Sequence, residues 1–264
     1  MACELTEPKG LQRWQFTTLP STSSVRIIYL VAAENKDDPL ECRFIETTLE
    51  SNPQYNAVSY CWGDEADPST ILCHGKYLPV TRNLDAALRR FRQASEDIPL
   101  WIDSICINQQ DIIECHRQVY LMGDIYHKAS KVLIWLGCEN EYEDSPAAME
   151  YMQTLLNNVC PRFSEVDLWK GSSTEIYKEL NIPEANISKS SQLKAFNEFF
   201  RKRPWFDRAW TYQESRLART KTFYCGRFEI PYETMLAIAA VFFKLLDATN
   251  ERFYLHFSMP KSGL

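Results

Sequence analysis

Glycine is scarce in this chain: 8 residues in 264, under half the usual share of about 7%. At positions 10, 63, 75, 123, 137, 171, 226 and 263 they form neither GxGxxG nor GxxxxGK[ST]. That excludes a glycine-rich phosphate cradle of the Rossmann or P-loop kind. No apolar run approaches the roughly 20 residues of a membrane helix. The start, Met1-Ala2-Cys3-Glu4-Leu5, has no basic region leading into an apolar stretch, so it is not an export signal, and a cytoplasmic chain off the membrane is expected. The nine cysteines contain no CxxC, and their odd number argues against a disulfide framework. His74, His116, His127 and His256 never fall at zinc-ligand spacing with a cysteine, so no metal is expected. Basic charge is also short. The net charge is -6, the pI is near 5.4, and the densest basic cluster is Arg201-Lys202-Arg203, which argues against a nucleic-acid partner. GxSxG, HExxH and EF-hand patterns are missing too.

What is present is ordinary globular composition, 45% hydrophobic and 24% charged, enough for a sizeable core. Residues 1–24 read as an irregular N-terminal segment. Val25–Ala32 and Glu41–Thr47 read as an antiparallel strand pair, the second with one wet face. Tyr55–Tyr60 is a further strand, and His74-Gly75-Lys76 joins a hairpin. Leu84, Ala87, Leu88 and Phe91 share one face of a helix. A strand then ends at Asp103, and 104–110 reads as a loop. Asp111 opens a helix with Ile112, Cys115, Val119, Met122, Ile125, Tyr126 and Ala129 inward. Lys131–Leu136 is a strand buried on both faces. Residues 140–200 read as a helical insertion, Lys221–Cys225 as another strand, 25–250 as a single domain, and 251–264 as a C-terminal tail. Helices alternating with apolar strands predict an α/β fold around a mainly parallel sheet. Ligands of such sheets bind beyond the carboxyl ends of the strands.

Three constellations fall beside those strand ends. The first is Ser59-Tyr60-Cys61-Trp62-Gly63-Asp64, where Trp62 is either a lid over the core or a stacking surface. The second is Trp101 to Gln109. There Asp103 suits ribose hydroxyls, although Asp103 and Asn108 could equally tie down their own loop. The third is Arg203-Pro204-Trp205-Phe206-Asp207-Arg208-Ala209-Trp210-Thr211-Tyr212-Gln213-Glu214. Trp210 and Glu214, four apart, share a helix face. A carboxylate beside an indole suits acid/base or cation-stabilising work; the alternative is a packed Trp210 with Glu214 paired to Arg208 or Arg216. Glu114, three after Asp111, reads as part of a helix cap.

Together these blocks resemble the HET domain of fungal heterokaryon-incompatibility proteins. They stand here as YNAVSYCWG (55–63), LWIDSICINQQDIIECHRQVYLMGDIYHKASKVLIWLG (100–137) and RPWFDRAWTYQE (203–214); the resemblance spans about 25–230 and departs at Cys115, where the family usually has arginine. It implies a domain related to Toll/interleukin-1 receptor (TIR) domains, with a flavodoxin-like central sheet, acting in programmed cell death after non-self recognition. Some TIR domains cleave NAD through the glutamate of a WxxxE helix, which Trp210 and Glu214 match. By that likeness Glu214 is the catalytic carboxylate. Tyr60, Trp62, Asp64, Asp103, Asn108, Arg208 and Trp210 are the substrate-binding set, with Arg208 for the pyrophosphate. NAD or a related nucleotide is then substrate rather than cofactor. The expected partners are further copies of the chain on activation and an upstream recognition protein. A non-enzymatic, oligomerising signalling module is the alternative.

Overall fold

In the computed structural model the described residues are 10–64, 66, 68–138, 147–150, 152, 191–208, 214, 217–236, 238 and 239. Of the expected features, most of the helical insertion, Trp210 and the 251–264 tail lie outside them. The chain divides into two compact units: residues 1–137 with 210–221, and 138–209 with 222–264.

The first unit is built on β1 (Ser24–Leu30), β2 (Glu41–Thr48), β3 (Asn56–Tyr60), β4 (Pro68–Cys73), β5 (Lys76–Thr81), β6 (Ile98–Trp101) and β7 (Lys131–Trp135), with helices α1 (Arg82–Phe91), α2 (Asp103–Cys106) and α3 (Ile112–Lys128). The strands lie in the order β5-β4-β2-β1-β6-β3-β7. The class is α/β as expected, but the sheet is mixed rather than mainly parallel. β3 runs parallel to β6 and to β7, and β4 meets β2 in parallel over two residue pairs. β1 is antiparallel to both β2 and β6, and β4 is antiparallel to β5. The reason lies in the connections. Where a helix intervenes the chain can return to start a parallel strand, but a short turn forces reversal. Residues 31–40 and His74-Gly75 are such turns; His74 (φ 48°) and Gly75 (φ 73°) give the left-handed pair that a two-residue hairpin needs. The strand–helix alternation therefore predicts only the β6-β3-β7 core.

That core carries the hydrophobic burial. Val58, Tyr60, Leu100, Trp101, Val132, Ile134 and Trp135 are buried, and each large apolar side chain so removed from water contributes about 1.5–3 kcal/mol. Thr81 caps α1 by accepting the Leu84 N–H (3.3 Å), which turns Leu84, Ala87, Leu88 and Phe91 inward as the spacing predicts. Arg92, just past α1, donates to the carbonyls of Asn35, Lys36, Asp38 and Pro39 and so holds the β1–β2 turn. Residues 10–17, expected to be irregular, form no helix or longer strand but run beside β5. Trp14 N–H donates to Tyr77 O and Tyr77 N–H to Gln12 O, while the Trp14 ring stacks on Phe44 and His74.

The second unit contains α4 (Ser191–Lys202), a 3₁₀ turn over Pro204–Asp207, and the antiparallel hairpin of β8 (Lys221–Cys225, all but Lys221 in this unit) with β9 (Phe228–Pro231). Its core is aromatic: Phe200, Trp205, Phe206 and Phe223 meet at centroid distances of 4.7–6.2 Å. Arg203 is fully buried, with its guanidinium 4.5 Å over the Phe199 ring. Arg203, Trp205 and Phe206 are thus core rather than surface, while Pro204 between them is exposed. No helix among the described residues is long and apolar enough to cross a membrane.

Candidate functional site

β3 is buried from Ala57 to Tyr60, and its successive side chains point to opposite faces of the sheet. Ser59 and Tyr60, the last two residues, therefore face different ways, and each meets a polar partner. On one face the Ser59 hydroxyl donates to a carboxylate oxygen of Glu214, which is 2% exposed. On the other, the Tyr60 hydroxyl and Ser104 Oγ are 2.5 Å apart.

The chain leaves β3 through Cys61-Trp62-Gly63. Gly63 has φ +85°, and a Cβ there would lie 3.1 Å from Asn83 Cβ, so glycine meets both a backbone and a packing requirement. Asn83, at the start of α1, donates to Cys61 O (2.7 Å) and accepts the Trp135 indole N–H (2.8 Å). It thereby fixes the exit of β3 against β7. Trp62 then donates its indole N–H to Asp103 Oδ2 (2.9 Å), while Asp103 Oδ1 accepts the N–H of Ser104 (2.7 Å). Asp103 both positions Trp62 and ties its own loop, which begins with the turn α2 where the sequence suggests plain loop. Asn108 ties its loop as well: its side chain accepts Gln110 N–H (3.2 Å), and its N–H donates to Glu114 Oε1 (2.6 Å). Cys115, at the departure from the family pattern, donates its thiol to Asn108 O (3.4 Å).

Beyond the carboxyl ends of β3 and β6 lies a cavity of about 390 Å³. Trp62, Ser104 and Asn108 line it together with Arg13 and Phe16 of the N-terminal segment. Its size falls in the range of small-molecule sites. Arg26, a lone cation in the apolar strand β1, braces both walls. It donates to Thr17 O on the N-terminal side, and to Cys106 O (3.2 Å) and Glu114 (2.5 and 3.1 Å) on the other. Glu114 is thus the buried partner of Arg26 as well as a residue of the α3 cap, where Asp111 accepts its N–H. Burial pushes the Cys106 thiol, behind the cavity, up to about 12; it is neutral at physiological pH and not poised as a nucleophile. No group of three or more metal-ligating side chains occurs among the described residues.

Of the residues singled out from sequence, the structure brings together Tyr60, Trp62, Asp103 and Asn108. Asp64 is exposed, with its carboxylate on Ala66 N–H (2.8 Å). Arg208 follows the 3₁₀ turn in the second unit. Trp210 lies outside the described residues. Glu214 is on the Ser59 face and is absent from the described lining of the cavity. Arg13, Phe16, Asn83 and Arg26 are missed by the sequence reading. The alternation Trp14-Gln15-Phe16 and the charge inside β1 are the signals that could have marked Phe16 and Arg26; nothing local marks Arg13 or Asn83.

A mixed α/β sheet with a small-molecule-sized cavity at the carboxyl ends of its parallel strands defines the class. Within it the chain belongs to the heterokaryon incompatibility (HET) protein family, whose model matches residues 55–214. It is 30% identical over 250 residues to heterokaryon incompatibility protein 6, OR allele, of Neurospora crassa, an alignment taking in 86% of this chain and 36% of that protein. The chain thus spans little more than a third of its relative's length. No solved structure matches it.

Proposed function

We propose that this chain acts in fungal heterokaryon incompatibility as a cell-death effector domain, and that it hydrolyses NAD at the nicotinamide–ribose bond with Glu214 as the catalytic carboxylate. The family and the relative's name support the first part. The single observation that carries the second is the position of Glu214: a buried carboxylate held by Ser59 near the carboxyl end of β3.

The C–N bond breaks with its electron pair leaving on neutral nicotinamide. The ribose becomes oxocarbenium-like, and water adds at its anomeric carbon, releasing a proton and ADP-ribose. A carboxylate close to that carbon stabilises the developing charge, as in glycosidases. In this reading Trp62 and Tyr60 are the stacking surfaces, and Asp64, Asp103 and Asn108 are the groups for ribose hydroxyls. Ser59 holds Glu214 in the resting chain, so turnover requires the carboxylate to be released, which we assign to homo-oligomeric assembly after an upstream recognition event.

The burial of Glu214, 2% exposed, favours a second reading, in which the carboxylate is structural and the domain is a non-enzymatic oligomerising module. One experiment separates the two. Artificially clustered protein is incubated with NAD, and nicotinamide and ADP-ribose are quantified for wild type and Glu214→Gln. The enzymatic reading expects both products from wild type and at least a hundredfold less from the variant. Intact NAD over clustered wild type, or equal rates, leaves the module.

A further inference from the structure

The N-terminal segment builds one wall of the cavity, and nothing so far gives that wall a function. Residues 13–16 face Ser104, Asn108, Gln109 and Gln110 across about 390 Å³. Arg13 is the only cation among the described lining residues, and no carboxylate is among them. Its side chain is exposed, and none of the described residues forms an ion pair with it. The remaining polar groups are amides and hydroxyls, and Trp62 and Phe16 supply aromatic surface. Trp14, on the same wall, carries an indole N–H that is buried without a partner among the described residues; natural structures rarely leave such a donor unsatisfied.

This chemistry selects a ligand. A cation would meet one guanidinium and no counter-charge. A purely apolar ligand would cover the polar edges of Ser104, Asn108, Gln109 and Gln110 and offer them no bond in place of water. A planar group with several hydrogen-bonding edges and one anionic end satisfies all of them, the anion on Arg13 and the plane against an aromatic ring. The cavity is at the small end of ligand sites, suited to one nucleotide unit rather than both halves of a dinucleotide.

We infer that the cavity is a nucleoside monophosphate pocket in which Arg13 takes the phosphate, seating one half of a dinucleotide. This deepens the nucleotide reading above and rests on it, but does not depend on turnover. Arg13 lines the cavity and Glu214 is not among its described lining, so the two claims separate by variant.

The test is a titration of the full chain with AMP and nicotinamide mononucleotide, with adenosine and nicotinamide riboside as phosphate-free controls, followed by calorimetry and tryptophan fluorescence. Saturable binding of at least one nucleotide is expected. Removing its phosphate, or substituting Arg13→Gln, should weaken binding at least tenfold. Because Arg13 is exposed, the variant should unfold at the same urea concentration as wild type, which keeps the comparison fair. Nucleotides that bind no better than their nucleosides, or an Arg13→Gln variant equal to wild type, overturn the inference. Arg13-dependent binding without NAD consumption leaves the pocket and removes the hydrolase; NAD consumption insensitive to Arg13→Gln does the reverse.

Discussion

Arg26 and Glu114 illustrate how much a single residue pair decides. Their side chains are 2% and 6% exposed, and together they accept or donate to Thr17, Cys106 and Asn108. Removing one partner leaves the other charge buried and unpaired, which costs about 3–5 kcal/mol, whereas replacing both by apolar groups is often neutral. Glu114→Leu alone should therefore lower stability by about 3–5 kcal/mol in urea denaturation, and Arg26→Met with Glu114→Leu should recover most of that. A double variant no better than the single one would mean that the pair is not the source of the loss. In sequence, Glu114 reads as a cap residue ahead of a catalytic one, and its partner is invisible because a helix pattern contains no information about a strand residue 88 positions away. Asp103 differs: its tie to its own loop was legible in sequence, and the structure adds its bond to Trp62.

At the scale of elements, α3 shows where periodicity misleads. Its first two turns bury Glu114 and Gln118, while Ile112, Ile113, Val119 and Tyr120 are exposed. The apolar spacing places Ile112 and Val119 inward, but the ion pair with β1 and the Gln118 bond to Ser24 O (2.8 Å) rotate the other face in. From Met122 onward, with no such partner, the apolar face faces the core as expected. The join between β3 and α1 is the other element-level device. Asn83→Ala would leave the Trp135 indole N–H and Cys61 C=O without their partner, at a cost of about 1–3 kcal/mol. It would also loosen the turn that carries Trp62. The expected readouts are a lower urea midpoint and Trp62 fluorescence shifted toward the solvent-exposed value. An unchanged midpoint would show that α1 does not hold the β3 exit.

For the whole molecule, the buried thiols make stability depend on alkaline pH. Burial raises Cys106 from about 9 to about 12, and hydrogen bonding to Cys73 together with burial raises Cys42 further; burial raises Tyr55 in the same direction. Each group is therefore neutral in the folded chain at a pH where it would already ionise unfolded. The stability they contribute is complete below pH 9, the unfolded value, and is lost as pH rises through the folded values. Stability measured by urea should fall steadily between pH 9 and 12, and Cys106→Ala should flatten part of that slope. A flat profile in the wild type would contradict the burial of these groups.

By itself the sequence determined the strands, the capped helices, the tight hairpin, the family and most of the residues at the strand ends. Those depend on local spacing, turn chemistry and motif, all of which are written along the chain. Tertiary structure decided strand direction, because pairing of β1 with both β2 and β6 depends on which edges meet. It also decided the second wall of the cavity, since residues 10–17 pair with β5 some 60 positions later. It placed Glu214 against Ser59, on the opposite face of β3 from Tyr60, because adjacent residues of a strand share a sequence motif but not a side of the sheet.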